Sequence, residues 1–125
     1  MKNYKILIVD DSLMSRTILK EFLNNDYILE EAEDGEKALI KVPVFQPDVI
    51  ISDYSMPIMD GVHFLTIVAK QYPSIIRILI SAGISKQINI LIKAINEGKI
   101  FCFIPKPVDL DYLKNILQKE LKQSE

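Results

Sequence analysis

The chain has few of the residues that build disulfides, metal clusters or nucleic-acid grips. It carries one cysteine and one histidine among 125 residues. A lone Cys102 cannot close an internal disulfide, and its setting, "KIFCFI", reads as a small buried hydrophobe rather than a reactive thiol. His63 has no second histidine with which to share a metal or relay a phosphoryl group, so it reads as a surface or helix-packing residue. Lys and Arg number 15 against 17 Asp and Glu, and the net charge of −2 leaves no basic excess for holding nucleic acid by this domain alone. No apolar run approaches the length of a membrane span, and the one near the N-terminus is too short for a secretory signal. Internal repeats, low-complexity tracts and long linkers are also missing. The expectation is one reduced, soluble, cytoplasmic domain over residues 1–125, making no contact with a membrane.

What is present is an alternation of two segment types. Short β-branched runs occur at 6–9, 27–31, 49–52, 75–80 and 101–104. Between them lie stretches with helical spacing. The first helix should start at Ser12, the second near Asp34, the third near Asp60, the fourth at 85–97 and the fifth near Asp109. Pro43 is expected to kink the second helix or end it early. In the fourth, Ile88, Leu91, Ile92 and Ile95 share a face, and Gly98 is placed to cap the end. Five strands alternating with five helices predict an α/β fold. It is a doubly wound, five-stranded parallel sheet of order 2-1-3-4-5, with helices on both faces.

That fold gives the aspartates a meaning. "LIVDDS" ends the first strand on Asp10 and Asp11, and "VIISDYS" ends the third on Asp53. The first and third strands are neighbours at the topological switch point, where ligands bind outside the carboxyl ends of strands. Adjacent aspartates after a strand are most often a turn plus a helix cap. Three carboxylates gathered in one crevice, however, resist ionisation unless a cation shares the site. An all-oxygen set with few protein ligands suits Mg²⁺. The fourth strand adds the hydroxyl of Ser81 and the fifth the ammonium of Lys106, held between two prolines. A carboxylate nucleophile, a metal, a hydroxyl and a lysine together make a phosphoryl-transfer site.

The pieces "VDDS", "SDYSMPIMDG", "SAG" and "PKPVD", in this order and each at a strand end, resemble the receiver domain of bacterial two-component response regulators, similar to the single-domain chemotaxis type. The resemblance covers essentially the whole chain. It implies that Asp53 is phosphorylated by a sensor histidine kinase or a histidine phosphotransfer protein. It implies that Asp10, Asp11, Asp53 and the backbone carbonyl of Ser55 hold Mg²⁺. Lys106, Ser81 and the backbone of Ala82 would bind the phosphoryl group, and the Lys106–Pro107 bond would be cis. Ser81 and Phe103 would form the switch, with Phe103 standing where a tyrosine is common and offering no hydroxyl to a partner. The fourth helix, fifth strand and fifth helix would then meet a downstream target or a fused output domain, with Ile90, Phe103 and Tyr112 on that surface.

Other readings compete with this one. A haloacid dehalogenase-type enzyme needs a second aspartate two residues after its nucleophile, and neither Asp53 nor Asp10 is followed by one. The expectation is therefore a phosphoryl acceptor and not an enzyme, beyond slow self-catalysed phosphorylation and dephosphorylation. A phosphorelay intermediate that passes its phosphoryl group onward fits the same site residues. A phosphorylation-independent docking module usually lacks an acid or the lysine, and both are kept here.

Overall fold

The computed structural model describes residues 3–123. Among the described residues, strands and helices alternate as β1 (Lys5–Val9), α1 (Leu13–Leu23), β2 (Ile28–Ala32), α2 (Gly35–Phe45) and β3 (Val49–Asp53). They continue as α3 (Gly61–Gln71), β4 (Ile76–Ser81), α4 (Ile84–Asn96), β5 (Cys102–Pro105) and α5 (Leu110–Gln123). The strands pair in the order β2-β1-β3-β4-β5 and every pairing is parallel. This is the doubly wound sheet that the alternation of segments predicts.

Strand periodicity divides the core in two. Leu7 and Val9 of β1, Ile50 of β3 and Leu79 of β4 point to one face, where Ala38 and Val42 of α2, Phe64, Leu65 and Val68 of α3, and Leu91 and Ala94 of α4 cover them. Ile6 and Ile8, Val49 and Ile51, and Ile78 and Ile80 point to the other face, under Leu19 and Leu23 of α1 and Leu113, Leu117 and Leu121 of α5. Both faces of β3 are therefore covered, which is why its sequence shows no polar alternation. Each fully buried Leu or Ile contributes about 2 kcal/mol relative to exposure.

The helix starts follow local chemistry. Side-chain oxygens of Ser12, Asp34, Asp60 and Asp109 accept the backbone N–H three residues on, capping α1, α2, α3 and α5. At the other end of α4, Gly98 adopts φ 73°, and Gly98 and Lys99 donate to Ile95 and Ala94 in a paired capping turn.

Two expectations are corrected. Pro43 does not end α2, which runs on to Phe45 and closes with Gln46 at φ 54° donating to the carbonyl of Val42. Pro43 sits in the exposed last turn, where one missing helical N–H is tolerated. On α4 the buried stripe is Leu91 and Ala94, whereas Ile92 and Ile95 are 46% and 37% exposed. The helix covers the edge of the sheet, where β5 is only four residues long, so a narrow stripe fills the available contact.

Arg77 fastens this edge. Its guanidinium donates to the carbonyls of Ile75 (2.7 Å), Lys99 (2.9 Å), Gly98 (2.9 Å) and Pro73 (3.2 Å), joining the start of β4 to the turn between α4 and β5. Replacing Arg77 with Met keeps the aliphatic stem and removes all four donors. The expected loss is about 2 kcal/mol, read as a lower urea midpoint with an unchanged m-value.

Candidate functional site

Asp53 is the last residue of β3, and Asp10 follows directly after β1, its parallel neighbour. Chain direction alone therefore sets the two carboxylates side by side. Both are nearly buried, Asp10 at 3% and Asp53 at 7% exposure, while Asp11 is exposed. One carboxylate oxygen from each of Asp10, Asp11 and Asp53 lies within 4.8 Å of the others.

Lys106 enters from the end of β5. Its ammonium stands 3.0 Å from Asp53 Oδ1 and 3.5 Å from Asp10 Oδ2. The neighbouring Lys106–Pro107 bond is cis. Burial works against the charge on this lysine, but its hydrogen bond to Asp53 and the charges of Asp10 and Asp53 outweigh that and raise its pKa. Asp53 is pushed up as well. Burial is the largest cause, and the charges of Asp10 and Asp11 add to it against the pull of Lys106.

Backbone contacts fix the frame. The N–H of Ser12 donates to Asp10 Oδ1 at 2.9 Å, and Arg16 donates to the Asp10 carbonyl at 2.6 Å while its Nε pairs with Glu31 at 2.7 Å. Gly61, at the start of α3, lies against the carbonyl of Asp53; a Cβ there would come within 2.2 Å of that oxygen and 2.7 Å of Leu79 Cδ1. The loop between them carries Ile58 at φ 77°, inside a three-residue turn closed by Met59 N–H to the Pro57 carbonyl at 2.9 Å. A β-branched residue is strained there. The sequence reading singles out neither Arg16 nor Ile58. Arg16 works through a contact to a backbone atom, and Ile58 carries no glycine to mark the turn.

The other expected positions fall as follows. Ser81 ends β4, is 1% exposed, donates to Gln87 Oε1 at 2.5 Å and accepts from the Gly83 N–H at 3.2 Å. Ala82 and Ser55 lie exposed on the loops beyond β4 and β3. Phe103 of β5 is half-buried against the core face shared by α2, α3 and α4. Tyr112 on α5 is 53% exposed. Ile90 is 51% exposed but lines a hollow with Val62 of α3, so it lies on the flank of α4 turned away from β5. Helical spacing puts Ile92 and Ile95 on the opposite flank, and Phe101, just before β5, is also exposed. Cys102 is half-buried, and burial pushes its thiol up to about 11. A cavity of about 260 Å³ opens beside the carboxylates between α1 and the turn before α5, lined by Asp10, Ser15, Ile18, Lys106 and Pro107 among others.

Two predictions follow from this packing and charge. Gly61→Ala forces the Asp53 carbonyl or the start of α3 to move, and is expected to lower stability by about 2 kcal/mol in urea unfolding. Asp53→Asn acts in the opposite direction in metal-free buffer. A carboxyl whose pKa is raised in the folded state supports folding below its unfolded pKa and loses that support as pH rises through the folded value. At pH 7 the amide should therefore unfold at higher urea than the wild type, by about 1 kcal/mol. The difference should shrink as the pH is lowered and Asp53 itself becomes neutral.

Comparison with known proteins places this fold and site in a family. The response regulator receiver domain family matches residues 6–118. The chemotaxis protein CheY of Listeria monocytogenes is 35% identical over 120 residues, covering 94% of this chain and 98% of that protein. The crystal structure of the signal receiver domain of an HD domain-containing protein from Pseudomonas fluorescens superposes with a TM-score of 0.88 at 32% identity, covering 98% of this chain and 90% of that one. A protein-glutamate methylesterase/protein-glutamine glutaminase of Pyrococcus horikoshii is 37% identical over 131 residues, covering 98% of this chain but 35% of that protein. This chain thus spans about a third of the length of the methylesterases it matches. The expectation that the chain is not an enzyme is corrected here, because those relatives, matched over nearly all of this chain, are named as enzymes. The part they share with it is the receiver third. With its parallel 2-1-3-4-5 sheet and its acidic cluster at the switch point, the chain belongs to the response regulator receiver domains of two-component systems.

Proposed function

We propose that the chain is a phosphorylation-operated switch in which Asp53 accepts a phosphoryl group from a phosphohistidine of a sensor histidine kinase or a histidine phosphotransfer protein. The observation that carries this reading is the contact of Lys106 with Asp53 at 3.0 Å inside a group of three carboxylates. An Asp53 oxygen attacks phosphorus in line, the P–O bond forms, and the P–N bond to the imidazole breaks with its electron pair leaving on nitrogen. The cavity beside Asp10 and Lys106 gives the donor ring an approach between α1 and the turn before α5.

The donor set fits a hard divalent cation. With all three carboxylates ionised, one ammonium offsets one charge and leaves −3 + 1 = −2 in a crevice where two of the acids are nearly buried. Asp10, Asp11 and Asp53 would hold Mg²⁺ with the Ser55 carbonyl, and the ion would offset charge on the phosphoryl oxygens. Lys106 would follow the phosphoryl group, moving its contact from the Asp53 carboxylate at 3.0 Å to a phosphoryl oxygen. Ser81 and the Ala82 N–H would meet the remaining oxygens, and Phe103 would sink further into the core face it already touches. The readout surface would then be the flank of α4 with Ile92 and Ile95, together with Phe101, Phe103 and Tyr112. The likeness to the receiver third of the methylesterases supports a target that is a partner or fused output module.

Incubation with acetyl phosphate and Mg²⁺, followed by intact mass measurement, tests the claim. One added phosphoryl group is expected. It should be absent from Asp53→Asn and from a sample in excess chelator. Failure of the wild type to gain mass with acetyl phosphate and with a panel of phosphorylated histidine kinases would overturn the proposal.

A further inference from the structure

The hydroxyl of Ser81 has one proton, and that proton is already committed. Ser81, itself 1% exposed, donates it to Gln87 Oε1 at 2.5 Å and accepts the Gly83 N–H at 3.2 Å, both partners being half-buried. While this geometry holds, Ser81 has no donor to offer a group on Asp53. Gln87 sits in the first turns of α4, and its amide packs over Gly83, where a Cβ would approach its Nε2 within 3.2 Å. Gly83 is also the residue before α4, and the helix has no side-chain cap there. The glutamine therefore ties the start of α4 to the end of β4 through the same hydroxyl that a phosphoryl oxygen would need.

We propose that Gln87 is a positioning residue that latches Ser81 in the unphosphorylated arrangement. The inference rests on the phosphoryl-acceptor reading of Asp53 above. When a phosphoryl group arrives, Ser81 must break its bond to Gln87 Oε1 and turn its O–H towards a phosphoryl oxygen. Gln87 then loses its hold and frees the first turns of α4. The latch biases a two-state equilibrium towards the resting state by the net worth of one part-buried hydrogen bond.

Removing the acceptor should therefore favour the phosphorylated arrangement. Beryllofluoride with Mg²⁺ mimics the phosphoryl group without the chemical step, and its binding can be followed by fluorine NMR. Gln87→Ala and the bulkier Gln87→Met should both lower the half-saturating concentration roughly two- to tenfold. The change should vanish when Ser81→Ala is combined with either variant, since the hydroxyl through which Gln87 acts is then gone. A purely structural role for Gln87 would leave the shift intact in the Ser81→Ala background and would overturn the latch. Wild-type binding with unchanged or weaker binding by both variants would also overturn it, while leaving the role of Asp53 standing. If the wild type neither binds beryllofluoride nor gains a phosphoryl group, the reading of Asp53 fails and the latch falls with it.

Discussion

Asp53 and Asp10 both lean on the ammonium of Lys106, at 3.0 and 3.5 Å, and with Asp11 beside them they hold more negative charge than one lysine can offset. Much of the structure around the crevice can be read as the means of keeping that unfavourable group together. Arg16 and the Ser12 N–H hold Asp10 from behind, one through its carbonyl and the other through its carboxylate. Gly61 lets α3 close against the Asp53 carbonyl, where any side chain would collide. Ile58 accepts a strained backbone to bring the loop round. Residual negative charge in a nearly buried crevice is costly to the metal-free fold, and under the proposed function it would draw a cation and make an added phosphoryl group consequential.

The site can bear this strain because the sheet beneath it is closed on both sides. β1 and β3 lie in the middle of the five strands, and their side chains are divided between two separate apolar layers. A change at the carboxyl end of β3 therefore meets little give from below. At the β5 edge the strand is short, α4 buries only a narrow stripe, and Phe103 is half-buried. A well-covered centre and a thinly covered edge follow from strand order, and under the proposed function a change at Asp53 would find its outlet towards β4, β5 and α4.

Much of this was legible in the sequence because the relevant signals are local. Ser12, Asp34, Asp60 and Asp109 cap their helices through contacts three residues away, and β-branched runs marked the strands. Strand order then brought Asp10, Asp11, Asp53 and Lys106 to one edge without any contact being known. What the sequence did not reveal depends on long-range or edge geometry. Pro43 was read by its usual effect, which is muted in a last exposed turn. The inward face of α4 is narrower than periodicity predicts, because periodicity counts apolar residues but does not say how wide a surface awaits them. Arg77 and Arg16 bond to backbone carbonyls, which every residue has, so no pattern of residue types announces them. Gln87 is an ordinary helix residue until the end of β4 is placed beside it.

The two ends of α4 are fastened very differently. Its C-terminus is closed by the turn at Gly98, and Arg77 pins the carbonyls of Gly98 and Lys99 to the start of β4. Its N-terminus begins at Gly83 without a side-chain cap, and the bond from Ser81 to Gln87 ties its first turns to the end of β4. The helix is thus held at one end by a guanidinium and at the other by one hydroxyl contact and the packing of Ile84 against the core. In the proposed latch, loss of the hydroxyl contact would loosen the N-terminal turns, while the Arg77 clip would keep the far end in register with β4. The flank carrying Ile92 and Ile95 lies between these two anchors and is already partly exposed. Under the proposed latch, a small rearrangement at Ser81 would act on α4 and its apolar flank before the sheet beneath it.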